Sequence, residues 1–176
     1  MIRGHVRHFD LGELNIPMRK SSGKRTNGSH GHENLFSSLK PEILEAFRAS
    51  QVAQSHPPAF TVFRAGDPSK GIYLIHAGKI RLTMSGMGNE GLNSRIVRRG
   101  EILGLTPTVS GRPYEVTAET LCTTQLSFIP KNIVIRCMDQ DAEFAFRVLH
   151  LLCDDLGDAF EHVRTQVRPT RHNHRN

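Results

Sequence analysis

The segment FRAGDPSKGIYLIHAGKIRL, residues 63–82, decides the fold of this chain because its apolar residues recur with a period of two. Ile72 and Leu74 carry this period, and Ile80 and Leu82 repeat it after a glycine. Such spacing places successive apolar side chains on one face of a β-strand. Glycines and an Asp-Pro pair, which are typical turn residues, separate the runs. The segment therefore predicts short strands separated by turns.

Short strands continue on both sides of this segment. Phe60 and Val62 show the same period upstream, and the downstream pattern predicts strands at 94–98, 115–120 and 124–129. Regularly spaced short strands with glycine turns are typical of jelly rolls and small barrels. The sequence therefore predicts a mainly β fold with flanking helices, in which an antiparallel β-roll or jelly roll forms the centre.

Helical spacing precedes the strands, in the segment NLFSSLKPEILEAFRAS, residues 34–50. Asn34 is a plausible N-cap for a first helix, and Pro41 suits the first turn of a second, longer helix. The apolar residues that share the helical spacing are Leu35, Phe36, Leu39, Ile43, Leu44 and Phe47.

After Pro130 the pattern predicts one long helix, from about Ala142 to Gln166. Its apolar residues alternate spacings of three and four, which is the a/d stripe of a coiled coil. We interpret the stripe as the interface of a parallel homodimer; the alternative is that it packs only on its own domain. Gly157 weakens the helix by about 1 kcal/mol relative to Ala. The stripe consists of Ala142, Ala145, Leu149, Leu152, Leu156, Ala159, Val163 and Gln166.

The net charge of +6 on 176 residues is unevenly distributed. Residues 1–34 hold six Lys or Arg against three Asp or Glu, residues 164–176 hold four Arg and no acid, and the remainder therefore carries −1. A polar composition, with glycine and serine in the first tail and Pro169 in the second, predicts disorder in both tails. Basic tails can keep a protein soluble or touch nucleic acid non-specifically, through contacts that salt weakens.

Composition argues against several protein classes. No apolar run approaches the roughly 20 residues of a membrane span, and no apolar segment typical of a secretory signal follows Arg3 and Arg7. The three cysteines form no CxxC pair, so a zinc ribbon or a disulfide framework is not indicated. We therefore expect a cytoplasmic protein with buried, inert thiols, with no cofactor and no metal.

The strand segment resembles the core signature of the cyclic nucleotide-binding domain in the Crp/Fnr family of regulators. The signature is a Gly-Asp turn, an aromatic residue and Leu-Ile-x-x-Gly-x-Ile. It is matched here by Gly66, Asp67, Tyr73, Leu74, Ile75, Gly78 and Ile80. The segment RRGEILGL is similar to the family's Gly-Glu-x-x-Gly entry to its pocket helix, with Gly100, Glu101 and Gly104. The resemblance covers residues 35–167.

The resemblance implies a β-roll sensor, then a dimerisation helix, then a DNA-binding helix-turn-helix. Only 13 residues follow Val163, and they include Pro169, whereas two helices and a turn need about 25 residues. We therefore expect no recognition helix and no sequence-specific DNA binding. The expected division is a basic tail at 1–34, the β-roll with its N-terminal helices at 35–140, the dimerisation helix at 141–167 and a second basic tail at 168–176.

The resemblance also indicates a ligand site, with Gly104, Leu105, Arg112 and Pro113 as candidate binding residues. Family members that bind cyclic AMP use a Glu after the glycine, an Arg-Ser pair, a helix Arg and a Thr-Ser pair. Gly104 and Arg112 match. The other positions hold Leu105, Pro113, Asp155, Ala159 and Phe160. Binding of cyclic AMP in the usual manner is therefore not expected, and Arg112 is either a turn residue or the contact of a different anion.

We interpret the chain as a dimeric Crp/Fnr-type sensor involved in transcription regulation, without its own DNA-binding domain, and not an enzyme. Its partners would be a second copy and an unidentified small ligand, with no membrane. One alternative is a regulator that reaches DNA through a partner chain or its basic tails, and another is a degenerate remnant. A cupin-like metalloenzyme is disfavoured because His56 and His76 are isolated within the roll.

Overall fold

The structure is a computed structural model that describes Leu35, residues 39–84 and residues 94–166, with side chains as far as Gly157. Its elements, in chain order, are α1 (Pro41–Ser50), β1 (Val52–His56), β2 (Thr61–Phe63), β3 (Gly71–Ala77), β4 (Lys79–Met84), β5 (Ser94–Arg98), β6 (Ile102–Leu103), α2 (Leu105–Ser110), β7 (Val116–Thr120), β8 (Thr124–Pro130), α3 (Lys131–Gln140) and α4 (Ala142–Gln166).

The described strands form two four-stranded sheets, in the orders β1-β8-β3-β6 and β2-β7-β4-β5. Neighbouring strands run antiparallel throughout. At the centre of the first sheet, Ile72 of β3 lies opposite Ile129 of β8. The predicted antiparallel roll with flanking helices is therefore confirmed, because short strands of period two have folded into two facing sheets.

Alternation along β3 divides the hydrophobic core into two clusters. Ile72 and Leu74 belong to a cluster shared with the helices, where the rings of Phe47 and Phe144 meet edge to face with centroids 5.4 Å apart. Ile75 lies in the cluster between the two sheets. Because successive residues of a strand point to opposite faces, one strand supplies both cores.

Helix α3 was not predicted from the sequence, which indicated only one helix after Pro130. Pro130 begins the first turn without donating a hydrogen bond, and Val134 and Cys137 are completely buried. Asp141 then separates α3 from α4: its Oδ1 accepts hydrogen bonds from the backbone N–H groups of Glu143 and Phe144, at 3.0 and 3.3 Å. A carboxylate in this position caps a helix N-terminus. The region therefore contains two helices.

The start of α1 at Pro41 and the bounds of α4, Ala142–Gln166, agree with the predictions. Apart from Leu35 and Leu39, the predicted first helix after Asn34 lies outside the described residues, as do the tails predicted at 1–34 and 168–176. None of the helices among the described residues combines the length and hydropathy that a bilayer span requires.

Helix α4 has one buried and one exposed apolar face. Phe144, Val148 and Leu151 are at most 4% exposed and pack into the helical core. Leu149 and Leu156 of the predicted stripe are 53% and 57% exposed. The alternative that the stripe packs on its own domain is therefore wrong for these two residues.

Of the three cysteines expected to be buried, only Cys137 is fully buried. Cys137 is buried in α3, Cys122 is partly exposed, and Cys153 is exposed. Cys153 is exposed because it lies on α4 outside the buried face formed by Phe144, Val148 and Leu151. The expectation is therefore wrong for Cys153.

Candidate functional site

The connection between β6 and β7 carries a six-residue helix, α2, with a glycine at each end. Gly104 has φ of +76°, which is the left-handed region that side chains disfavour. A Cβ at this position would lie 3.0 Å from Cε1 of Tyr114 and 3.1 Å from the carbonyl oxygen of Gly71. Gly104 is therefore required both for the turn and for the close approach of its neighbours.

Helix α2 is anchored to the roll by one apolar and one polar contact. Leu105 is 3% exposed and joins the helical core. Thr108 is completely buried, and its hydroxyl lies 2.8 Å from that of Ser69. These contacts fix α2 against the loop before β3, so the backbone around Gly104 is held in one position.

An aromatic cluster lies next to Gly104. The ring of Tyr114 stacks on that of Phe63 with centroids 3.9 Å apart, and the Tyr114 hydroxyl donates a hydrogen bond of 3.2 Å to the carbonyl of Gly71. Tyr73 extends the cluster, 5.7 Å from Phe63. Burial, and secondarily the neighbouring Tyr114, raises the pKa of Tyr73 to about 12. Tyr73 therefore stays uncharged at neutral pH.

These elements form a partly open cavity of about 170 Å³ beside α2, and Asp155 of α4 is part of its lining. Most of its lining is apolar, and its charged residues are Arg95, Glu115 and Asp155. The full lining is Phe63, Leu82, Arg95, Val97, Ile102, Leu103, Gly104, Leu105, Thr106, Pro107, Tyr114, Glu115, Val116 and Asp155.

Glu101 provides a charge partner for Arg95 within the roll. Its Oε1 lies 2.6 Å from Nη2 of Arg95, and its Oε2 accepts a hydrogen bond of 2.6 Å from the backbone N–H of Arg98. The Glu101 side chain is 9% exposed. A charge-assisted pair of this length is among the stronger polar contacts in proteins. The Glu101 carboxylate, which is the acid of the Gly-Glu-x-x-Gly motif, thus closes the β5–β6 turn.

The structure brings only part of the predicted ligand site together. Gly104 and Leu105 line the cavity, whereas Arg112 and Pro113 are exposed and are not part of its lining. The backbone N–H of Arg112 is 3.4 Å from the Ser110 hydroxyl, and Pro113 pairs with Pro68 in an isolated bridge. The side chains of Ala159 and Phe160 lie outside the described residues.

Sequence reasoning missed the aromatic wall and the arginine of the cavity. Tyr114 directly follows Arg112 and Pro113 in the sequence, but the inward direction of its side chain depends on where β7 begins. Arg95 lies on β5, remote in sequence from α2, and only the pairing of β5 with β4 brings it near. Asp155 was identified from its helix position, and it lines the cavity.

Metal-binding groups of three or more His, Cys, Asp or Glu do not occur among the described residues. Nε2 of His76 lies 2.7 Å from the hydroxyl of Ser127, which is completely buried. Burial, reinforced by the charge of Arg99, lowers the pKa of His76. His76 is thus the partly buried partner of Ser127 in a polar pair between β3 and β8.

Residues 53–141 match the family model of the cyclic nucleotide-binding domain. Comparison with curated protein sequences gives no match.

Solved structures that share the fold include the following three. The catabolite activator protein of Thermus thermophilus has a TM-score of 0.63 at 21% identity, over 75% of this chain and 62% of that one. The sensor domain of the transcriptional regulator DNR from Pseudomonas aeruginosa has a TM-score of 0.62 at 22% identity, over 81% of this chain and 91% of that one. A cyclic nucleotide-binding domain from Methylobacillus flagellatus has a TM-score of 0.63 at 15% identity, over 77% of this chain and 79% of that one.

Proposed function

Because this chain belongs to the cyclic nucleotide-binding domain family, we propose that it is a Crp/Fnr-type sensor module involved in transcription regulation whose ligand is not cyclic AMP bound in the usual manner. The match to the Pseudomonas aeruginosa sensor domain supports this role, since the chain covers 91% of that domain. The module binds and signals rather than catalyses, and it works in the cytoplasm, where transcription regulators act.

One observation carries the proposal: the cavity beside Gly104 is formed, but its charges do not suit a phosphate. Arg112, the side chain that the resemblance assigns to the phosphate, is exposed and outside the lining. Leu105 replaces the acid that would bond the ribose, and Asp155 replaces an arginine. A buried ribose hydroxyl left without a partner costs about 1–3 kcal/mol, and a carboxylate beside a phosphate is repulsive.

Thermal unfolding with cyclic AMP tests this proposal. A ligand present at 100 times its Kd stabilises the folded state by about 2.7 kcal/mol, so a family-like affinity would raise the Tm by several degrees. We expect no change of Tm at millimolar cyclic AMP, either for the parent chain or for Arg112→Ala. An upward shift in the parent that Arg112→Ala abolishes would contradict the proposal.

The exposed face of α4 supports a homodimer as the working form. Leu149 and Leu156 are more than half exposed, and Leu152 between them is half-buried. Their spacing is that of a coiled-coil seam, and a second copy supplies the same seam in register. We therefore propose the dimer interface at Leu149, Leu152, Leu156, Ala159 and Val163.

Contact with DNA, where it occurs, would come from a partner chain or from the basic tails. Residues 35–163 carry a net −1, whereas the tails at 1–34 and 164–176 carry +3 and +4. Basic tails bind phosphates without reading base sequence. We propose that the 176 residues do not recognise a specific DNA sequence.

A further inference from the structure

We propose that the outer face of the second sheet, β2-β7-β4-β5, binds an acidic segment of a partner protein. This inference goes beyond the proposed function, because it concerns a protein-binding surface and not the ligand cavity. It follows from the cations that β4 and β5 place on this face and from the small number of acids beside them.

Alternation along β4 and β5 brings three cations to the outer face. Ile80 and Val97, which lie opposite each other in the register, are at most 2% exposed and belong to the core between the sheets. Their neighbours Lys79, Arg81 and Arg98 are exposed. Because successive residues of a strand point to opposite faces, the three cations share the outer face, which we call the basic face.

The cations of the basic face are close neighbours. Lys79 lies directly opposite Arg98 in the register, and Arg81 lies opposite Ile96. Directly opposite residues have Cβ atoms about 4.5–5.5 Å apart, and diagonal neighbours such as Arg81 and Arg98 are about 7–8 Å apart. Like charges directly opposite each other destabilise a sheet. A carboxylate bound between Lys79 and Arg98 would therefore relieve a repulsion that the fold contains.

Acids of the sheet compensate these cations only in part. Glu119 of β7 is the one acid in the four strands of this sheet, and its Oε1 lies 4.0 Å from Nη1 of Arg81. Both side chains of this pair are more than 40% exposed, and exposed ion pairs are weak. Within the described part of the chain, Lys79 and Arg98 form no side-chain ion pair. Three cations and one acid leave the basic face with a net +2.

The helices leave the basic face uncovered as far as the structure describes the chain. The helical core, with Phe47 of α1, Val134 of α3 and Phe144 of α4, packs on Ile72 and Ile129 of the first sheet. The second sheet contributes to the other core, between the sheets. Its outer side is therefore accessible to a partner.

The composition of the basic face favours a protein segment over a nucleic acid. Ile96 is 43% exposed between the cations, and an apolar side chain gains nothing from phosphates. The outward positions of β4 and β5 hold no aromatic ring on which a base could stack, and Glu119 repels phosphates. An acidic segment that carries one apolar side chain pairs with the cations and covers Ile96.

Fluorescence anisotropy of the full chain with two labelled peptides tests the proposal. The probe is a hexapeptide of five acidic residues around one leucine, and in its control each acid is replaced by the corresponding amide. At low ionic strength we expect the acidic peptide to bind at least about tenfold tighter, the ratio that about 1.4 kcal/mol represents. Salt should reduce this preference, because it screens exposed charges. Equal binding of the two peptides, or no binding of either, would overturn the proposal.

Two double variants separate the basic face from the basic tails. Lys79→Glu with Arg98→Glu should weaken binding of the acidic peptide at least about tenfold. Lys70→Glu with Arg136→Glu is the matched control, because it makes the same change of charge at exposed residues before β3 and on α3. The control should bind the peptide much more tightly than the first variant, and thermal unfolding checks that both are folded. An equal loss of binding in the two variants would refute the assignment to this face.

A single substitution tests the face without adding a charge to it. Glu119→Gln removes the acid that pairs with Arg81 and should strengthen binding of the acidic peptide roughly two- to fivefold, the range that an exposed ion pair represents. Unchanged or weaker binding by Glu119→Gln would contradict the proposal.

A mixed-sequence DNA duplex as a third probe separates a nucleic-acid surface from a protein surface. Duplex binding should fall equally in the two double variants, because it depends on the tails. A loss of duplex binding confined to Lys79→Glu with Arg98→Glu would assign the face to nucleic acid and overturn the proposal. None of these outcomes depends on whether the cavity binds cyclic AMP, so the proposed function is tested separately.

Discussion

At the scale of single residues, Gly104 and Tyr114 shape the site more than any charged group does. The positive φ of Gly104 turns the chain into α2, and the absence of a Cβ lets the Tyr114 ring and the Gly71 carbonyl approach it. Tyr114 is 4% exposed and stacks on Phe63. The cavity therefore depends on a glycine that the sequence motif identified and on an aromatic residue that the motif does not include.

Two glycine substitutions with opposite expected effects on the stability of the fold test this role of Gly104. Gly104→Ala should destabilise the fold by at least about 1–2 kcal/mol, because the left-handed backbone disfavours a side chain and the new Cβ would crowd Tyr114. Gly157→Ala should stabilise it by up to about 1 kcal/mol, since among the described residues no atom beyond the adjacent residues and the helix's own backbone lies within 4 Å of that Cβ position. Urea unfolding at one protein concentration measures both, and stabilisation by Gly104→Ala would contradict the account.

The identity of the candidate site residues was easier to predict than the direction in which their side chains point. The motif predicted Gly104 and Arg112 as site residues, and Gly104 lies at the cavity. Arg112 does not, because the short α2 ends at Ser110 with Gly111 as its C-cap, and Arg112 and Pro113 after it are exposed. The direction of a loop side chain depends on tertiary packing, which a single sequence does not contain.

At the scale of elements, periodicity predicted α4 and the strands and missed α3. The 25-residue α4 has enough turns for its spacing to be unambiguous. The ten-residue α3 buries few residues, chiefly Val134 and Cys137, so its period was too short to separate from the strand before it. The two faces of α4 were not both predicted, since Phe144, Val148 and Leu151 form a second apolar stripe that the domain itself buries.

The exposed stripe of α4 predicts a dimer that one charge can disrupt. Leu149→Asp should yield monomers, because it places a carboxylate in the seam of both chains. Leu152 is less suitable, since it also packs against the helical core. The matched control is His150→Asp, the adjacent exposed residue outside the seam, which should stay dimeric. Light scattering at tens of micromolar measures both, and a monomeric parent chain would contradict the proposed interface.

At the scale of the whole molecule, the fold could be predicted because the sequence patterns that indicate it are spread along the chain. Strand period, turn glycines and the Leu-Ile-x-x-Gly-x-Ile segment agree with one another, and the family model matches over 53–141. The ligand cannot be predicted in the same way, because it depends on a few lining residues contributed by β2, β5, α2 and α4. The net charge of the molecule likewise predicts a function only when residues 35–163 and the two basic ends of the chain are counted separately.

The concentration of positive charge in the tails predicts how DNA binding depends on salt. Residual binding to a mixed-sequence duplex should fall steeply as salt rises, because it depends on phosphate contacts of the arginine-rich tails. Fluorescence anisotropy at two salt concentrations measures this. Sequence-specific binding that persists at physiological salt after removal of residues 164–176 would show that the account of DNA contact is wrong.

The central claim is that this family site no longer suits a cyclic nucleotide because its lining is apolar and net negative. Calorimetric titration with cyclic AMP, on the parent chain beside Asp155→Arg, tests it most directly. Asp155→Arg restores the helix arginine of the resembled family and reverses a charge in the lining, while Asp154→Arg adds the same charge outside it. We predict no binding by the parent or by Asp154→Arg at millimolar cyclic AMP, and measurable binding by Asp155→Arg. Micromolar binding by the parent chain would contradict the account.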